Sequence, residues 1–311
     1  MMKPVYINGM GCISAARIQE GTEWIAGLPQ PESGKLLCTE PDYSAFFEAK
    51  NLRRMGRLLK FGTAAGLMAL RDAGMERPDA IATGTGLGLL DDSGKFLKSV
   101  IDAEEGTVSP TAFIQSTHNT VSSNISVLTG CHAHNFTFSQ KGVSFEGAVL
   151  DSILLMEENA AMHQILVGAY DEVTAYSYAI LERLGAFRHG AVAGEGAAYF
   201  VLSLQPTAKS FAKITAFDFG MRATADYVRE LVPDDSFVLN GSQLDIPGSY
   251  AFKQLCGEYM TASSFGWWLA AALLRYGHAP QALALAPRAF ERVAVVNQYK
   301  KNSAVVVIEK V

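Results

Sequence analysis

Residues 135–156 read NFTFSQKGVSFEGAVLDSILLM. A segment rich in β-forming side chains gives way to a polar turn, and the turn opens into a helix that is apolar on most faces. An apolar strand, HQILVGAYDEV, follows at 163–173. Strand, turn, buried helix and strand in this order predict an α/β fold with at least partly parallel sheets. In acyl-transfer folds a nucleophile often sits at such a turn, aimed by the start of the helix. Here Lys141, Gly142, Val143 and Ser144 hold the turn, and none of them is a cysteine.

The same alternation extends in both directions. PVYINGMGCIS at 4–14 reads as a strand ending in a glycine turn, and residues 51–74 as an amphipathic helix stopped by Gly74. DAIATGTGLGLLDDSG at 79–94 is a strand running into a glycine-rich loop, and 109–130 a helical stretch rich in Ser, Thr and Asn. GAVAGEGAAYFVLSLQ at 190–205 is a turn and a strand. After Gln205 the pattern restarts, with strands at 209–220 and 236–245, a buried helix within 253–277 and a pair of strands at 292–311. Ser144-Phe145 opens one apolar helix and Ser264-Phe265 another, each followed by an apolar strand and a polar loop. This repeated order predicts two related halves, residues 1–205 and a shortened 206–311.

With 49% hydrophobic and 18% charged residues, the 311-residue chain can bury a large core and is not expected to be disordered. A formal charge of −5 argues against nucleic acid or anionic lipid as partner. Cys12, Cys38, Cys131 and Cys256 are far apart, without metal or disulfide spacing. The start, MMKPVYING, lacks the apolar core of a signal peptide. The most apolar stretch, 262–274, is short of the ~20 residues that span a bilayer. A cytoplasmic protein with reduced thiols and no membrane span is the expectation.

VYINGMGCIS, TGTGLG, VGAYDE, AGEGAAYFVLS and KQLCGEYMTAS together resemble the β-ketoacyl synthases of the thiolase-like superfamily, over nearly the whole chain. The resemblance implies a five-layered α-β-α-β-α fold from two related halves, and a dimer built across sheet edges. It also implies acyl carrier protein as a partner. Family members hold an acyl group on a cysteine and condense it with a malonyl group, supported by two histidines. Carried onto this chain, the cysteine falls on Val143, or on Ser144 if one residue is inserted. The first histidine falls in VLNGSQ, on Asn240, Gly241 or Ser242, and the second on Glu258. The family lysine is retained as Lys253, and the glycine-rich gating loop is replaced by Asn297, Gln298, Tyr299, Lys300, Lys301 and Asn302.

Within the family this pattern is most similar to the chain length factors, inactive partners of an active ketosynthase. TFSQKGVSFEGAVLDS resembles in particular those of bacterial aryl polyene and related pigment pathways. The implied function is a non-catalytic subunit in fatty-acid or polyketide-type biosynthesis, paired with an active ketosynthase or with itself. The rival readings are a degenerate acyltransferase or hydrolase using Ser144, and a homodimeric binder of acyl chains or acyl carrier protein. Phe136, Phe138 and Gln140 are candidates for a tunnel wall, because alternate strand positions share a face.

The candidate site is Ser144, Lys253 and Glu258. Ser144 is expected to cap the helix starting near Phe145, and Glu258 to pair with Lys253. Cys131, His132 and His134 lack a third metal ligand, and the GTGLG loop at 84–88 lacks the spacing and acidic partner of a dinucleotide site. No metal and no cofactor are expected. Trp267 and Trp268 are expected in the core.

Overall fold

A computed structural model describes residues 2–19, 21–104, 106–108, 110–221 and 224–311. Glu105, and Ser109 at the head of 109–130, lie outside the described residues. In chain order the strands are β1 (Val5–Ser14), β2 (Lys35–Leu36), β3 (Ala80–Gly84), β4 (Asn135–Phe138), β5 (Ile165–Asp171), β6 (Ala193–Gly194), β7 (Gly196–Ser203), β8 (Ala212–Gly220), β9 (Phe237–Gly241), β10 (Arg292–Tyr299) and β11 (Asn302–Lys310). The helices are α1 (Ala49–Leu52), α2 (Arg57–Ala73), α3 (Leu90–Asp102), α4 (Pro110–Gln115), α5 (Thr120–Thr129), α6 (Ser144–Glu158), α7 (Ala175–Arg183), α8 (Ala225–Leu231), α9 (Lys253–Cys256) and α10 (Ser263–Tyr276).

Every residue of β3, β5 and β7 is buried, as continuous apolar runs require when both sheet faces are covered. The strand order is β4-β3-β5-β7-β1-β8-β11-β10-β9, with β2 and β6 forming a small separate pair. Outward from the β1–β8 seam, both sides repeat one pattern. β1–β7 and β7–β5 are antiparallel, while β5–β3 and β3–β4 are parallel. On the other side β8–β11 and β11–β10 are antiparallel and β10–β9 is parallel. Where the first side has β4, the second has a single parallel bridge between Leu239 and Tyr250. Tyr250 N–H donates to Val238 O, and Asn240 N–H to Tyr250 O, each at 2.8 Å.

The helices sort into layers by what they bury. α2 and α5 cover the outer face of β1, β5 and β7, with Phe61, Val121 and Ile125 against Leu166, Tyr199 and Val201. β1 admits α2 closely because it carries glycines: a Cβ at Gly11 would lie 2.2 Å from Ala65 O. α6 and α10 lie between the two sides of the sheet, where Phe145 meets Trp267 edge-on and Trp267 meets both Phe200 and Phe217. Trp267 and Trp268 are buried in this core, and twelve of the fourteen residues of α10 are buried. α8 covers the far face, with Tyr227 and Val228 against Val296 and Val305. The result is the five-layered α-β-α-β-α arrangement of the thiolase-like fold. Among the described residues no helix is long and apolar enough to cross a membrane.

The helix predicted over 51–74 is broken. α1 ends at Leu52, Gly56 takes an extended conformation (φ −61°, ψ 165°), and α2 starts at Arg57. Glycine is a poor interior helix residue, and Arg57 is drawn inward by Glu195. The predicted stop at Gly74 is present, with φ +70°.

Candidate functional site

Between β4 and α6 the chain makes one tight turn. Lys141 has φ +58°, a conformation unusual for a side-chain-bearing residue, and Lys141–Val143 forms a short 3-10 helix. Ser144 is completely buried. Its hydroxyl accepts from Gln140 N–H at 2.8 Å, and its oxygen lies 2.7 Å from Lys141 O and 3.0 Å from Thr85 O, the acceptors open to its single proton. The expected helix cap is corrected by this geometry. Val143 holds the N-cap position, and Ser144 bonds backward to the turn and across to the loop after β3, not forward into the first turn of α6. Among the described residues no histidine or carboxylate bonds to the hydroxyl, so none of them in contact with it acts as a base.

Glu146 sits in the first turn of α6, fully buried. Asn297 on β10 donates to Glu146 Oε1 at 3.2 Å and to Gly142 O at 3.3 Å. Ser263, the first residue of α10, lies beside it, yet neither Ser263 Oγ nor Glu146 Oε2 has a hydrogen-bond partner. Burial pushes the Glu146 carboxyl above its ordinary range, against lesser pulls from its own backbone N–H, the neighbouring Ser263, Asn297 and the Lys253 charge. In the sequence this residue is an acid at the head of an apolar run, which is the signal that could have found it.

Lys253 and Glu258 are brought together: Lys253 Nζ lies 2.9 Å from each oxygen of the Glu258 carboxylate. They line a cavity of about 260 Å³ whose other walls include Pro29, Pro31, Leu36 and Val192. Glu258 N–H also donates to Val192 O at 2.7 Å, which fixes this wall to the segment before β6. Ser144 does not line that cavity, so the three candidate residues do not form one constellation.

The glycine loop after β3 is closed on a carboxylate. Asp171, at the end of β5, accepts from Thr85 Oγ1 and from the N–H groups of Gly86 and Leu87 through one oxygen. Its other oxygen accepts from Thr261 N–H and Thr261 Oγ1, just ahead of α10. Glu195 works similarly for the GEG turn. It takes a two-pronged bond from Arg57 (2.7 and 2.5 Å) and the N–H groups of Cys38 and Val173.

The positions where the family carries histidines hold other chemistry. Asn240 is committed to its own turn, accepting from Ser242 N–H and Oγ and donating to Leu244 O. Glu258 is tied to Lys253. His132 and His134 precede β4 in a loop, and His134 Nε2 lies 2.9 Å from Asp151 Oδ2. Among the described residues no cluster of three His, Cys, Asp or Glu side chains is placed to hold a metal.

β4 is the end strand of the sheet. Phe136 is 54% exposed there and stacks on His134, at 4.3 Å between ring centres. Leu150 and Leu154 on α6, and Val127 and Leu128 on α5, both helices that contact β4, are also exposed. Phe138 and Gln140 pack over Gly147 of α6.

Three kinds of relative match this chain. The family described as "Beta-ketoacyl synthase, N-terminal domain" matches residues 40–209, more than half of the chain. The 3-oxoacyl-[acyl-carrier-protein] synthase 2 of Vibrio harveyi is 27% identical over a match covering 43% of this chain and 38% of that protein. The chain thus matches well under half the length of this relative. Among solved structures, the ishigamide ketosynthase/chain length factor is 19% identical with a TM-score of 0.75, covering 100% of both chains. The ketosynthase ApeO in complex with its chain length factor ApeC, from Xenorhabdus doucetiae, is 15% identical with a TM-score of 0.72, covering 99% of this chain and 98% of that one. These likenesses establish the fold, and the matching family model establishes the lineage: the chain belongs to the β-ketoacyl synthase family.

Proposed function

We propose that this chain is a non-catalytic subunit of the chain-length-factor type, with halves 1–205 and 206–311, that pairs in the cytoplasm with an active β-ketoacyl-[acyl-carrier-protein] synthase. The observation that carries the reading is Ser144. At the position nearest the family nucleophile stands a buried hydroxyl bonded to main chain and, among the described residues, touched by no base. A serine so held is not a nucleophile at neutral pH. Lys253 and Glu258 neutralise each other, and Asn240 stabilises a turn, so no proton shuttle replaces the family's histidines. Yet the loops around the site are kept closed by Asp171 and Glu195, so the fold is maintained without the chemistry.

The pairing surface in this reading is the β4 edge with Phe136, Leu150 and Leu154. An open strand edge flanked by exposed aromatic and aliphatic side chains is a site that associates. The partner's acyl carrier protein substrates would then be elongated in a tunnel to which this chain contributes a wall.

The test is co-expression with a catalytic β-ketoacyl-[acyl-carrier-protein] synthase from the same host. The expected result is a 1:1 complex that makes 3-ketoacyl product, while the isolated chain makes none. Condensation by the isolated chain at ordinary enzymatic rates, ~1 per second or more, would overturn the reading.

A further inference from the structure

We propose that the β10–β11 hairpin seals the turn at 141–144, so that this position is shut to thioesters independently of its lacking a thiol. The hairpin comes from the far end of the chain, 151 residues from its partner on α6. Three contacts hold it down. Asn297 Nδ2 donates to Gly142 O, which locks the carbonyl at the centre of the turn. The same amide donates to Glu146 Oε1, which locks the first turn of α6. Tyr299 then lies directly on Gly142: a Cβ added there would meet Tyr299 Cβ and Cγ, each at 2.4 Å.

The seal is matched on both sides. Only glycine leaves room for Tyr299 at position 142, and Lys141 takes a left-handed conformation to present that glycine. Asn297 is 5% exposed, so its two bonds are made away from water, where they are not traded for bonds to solvent. The hairpin itself is tight. It pairs Tyr299 with Asn302, and Lys300 at its tip has φ +55°. A strand pair continuous with the sheet is a stiff cover, not a hinged flap.

An acyl group approaching Val143 or Ser144 from the hairpin side must therefore displace Tyr299 and break both Asn297 bonds. Installing a nucleophile alone does not open the position. This goes beyond the pairing role, since it concerns access within the isolated chain.

The experiment uses the full chain carrying Ser144→Cys, a nearly isosteric change, with Val143→Cys as a second reporter. Iodoacetamide labelling at the new thiol is followed by peptide mass spectrometry, natively and in urea. The expected native rate is at least ~100-fold below the unfolded rate, rising ~10-fold or more when Tyr299→Ala or Asn297→Ala is added. Cys12, buried in β1, should stay unlabelled natively and become labelled in urea, so it reports global opening. Native labelling within threefold of the unfolded rate overturns the proposal. So does protection unchanged by both hairpin variants, or equal acceleration at Cys12, which would mean the hairpin holds the whole fold and not the door. Loss of ketosynthase pairing is read separately, by co-purification, so either idea can fail alone.

Discussion

Lys253 Nζ sits midway between the two carboxylate oxygens of Glu258, 2.9 Å from each, in the wall of a mostly apolar cavity. Their side chains are 18% and 30% exposed, so the pair is neither fully buried nor freely hydrated. Two charges of opposite sign at this distance hold each other in place and present little net field to the cavity.

Removing one partner leaves the other partly desolvated and alone. Lys253→Met and Glu258→Gln should each lower unfolding stability by about 1–2 kcal/mol, less than the 3–5 of a fully buried pair. The double variant Lys253→Met/Glu258→Gln should recover much of that loss. Urea unfolding of the four proteins gives the coupling directly. Strictly additive losses would show that the pair does not interact.

Ser144→Ala removes an acceptor for Gln140 N–H and a donor toward Thr85 O and Lys141 O. Stranding polar main-chain groups in the interior costs about 1–3 kcal/mol. The free energy of unfolding should fall by that amount, and the intact mass after incubation with acyl carrier protein thioesters should show no acyl adduct on the unsubstituted chain. An acyl-Ser144 adduct would instead make the serine a nucleophile.

Glu172 gives the fold a pH signature. Burial, then Asp91, Asp92 and Glu195 nearby, push its carboxyl up to about 8 from 4.5, with Arg57 pulling the other way. A folded-state value above the unfolded one means that the unfolded chain loses this proton first. The contribution of the neutral acid is therefore whole below about pH 4.5 and is lost as pH rises toward 8. Glu172→Gln should match the parent protein near pH 5 and exceed its stability by about 2 kcal/mol near pH 9, discounted from full linkage because the carboxyl is partly hydrated. A stability difference that does not change with pH would show that Glu172 titrates normally.

Sequence periodicity carried the architecture because the strands obey it. β5, β7 and the β10–β11 pair are apolar runs bounded by glycine or polar turns, and each forms where the runs predict. Local signals failed where a residue's partner is distant. Ser144 looked like a helix cap because capping is a local pattern, but one acceptor within its reach is Thr85 O, 59 positions away. Glu146 and Asn297 meet across 151 positions, and neither neighbourhood announces the other. The pairing of Lys253 with Glu258 was legible because five residues separate them.

The last prediction concerns the open edge. β4 has a sheet neighbour on one side only, and its outward Phe136 is held upright by the stacked His134, itself bonded to Asp151. An aromatic ring already fixed by its neighbours loses little freedom on association, and such rings dominate interfaces. Phe136→Arg should leave the unfolding midpoint of the isolated chain nearly unchanged, because the ring is more than half exposed. It should weaken association with the ketosynthase by at least ~10-fold, about 1.4 kcal/mol. Phe136→Ala should be milder in binding and, if the ring faces the partner's tunnel, should lengthen the product made by the complex. Sedimentation of the two chains, with mass spectrometry of the products, reads both effects. Full-strength association of the Phe136→Arg variant would remove β4 from the interface, since a charged, long side chain cannot be desolvated there without cost.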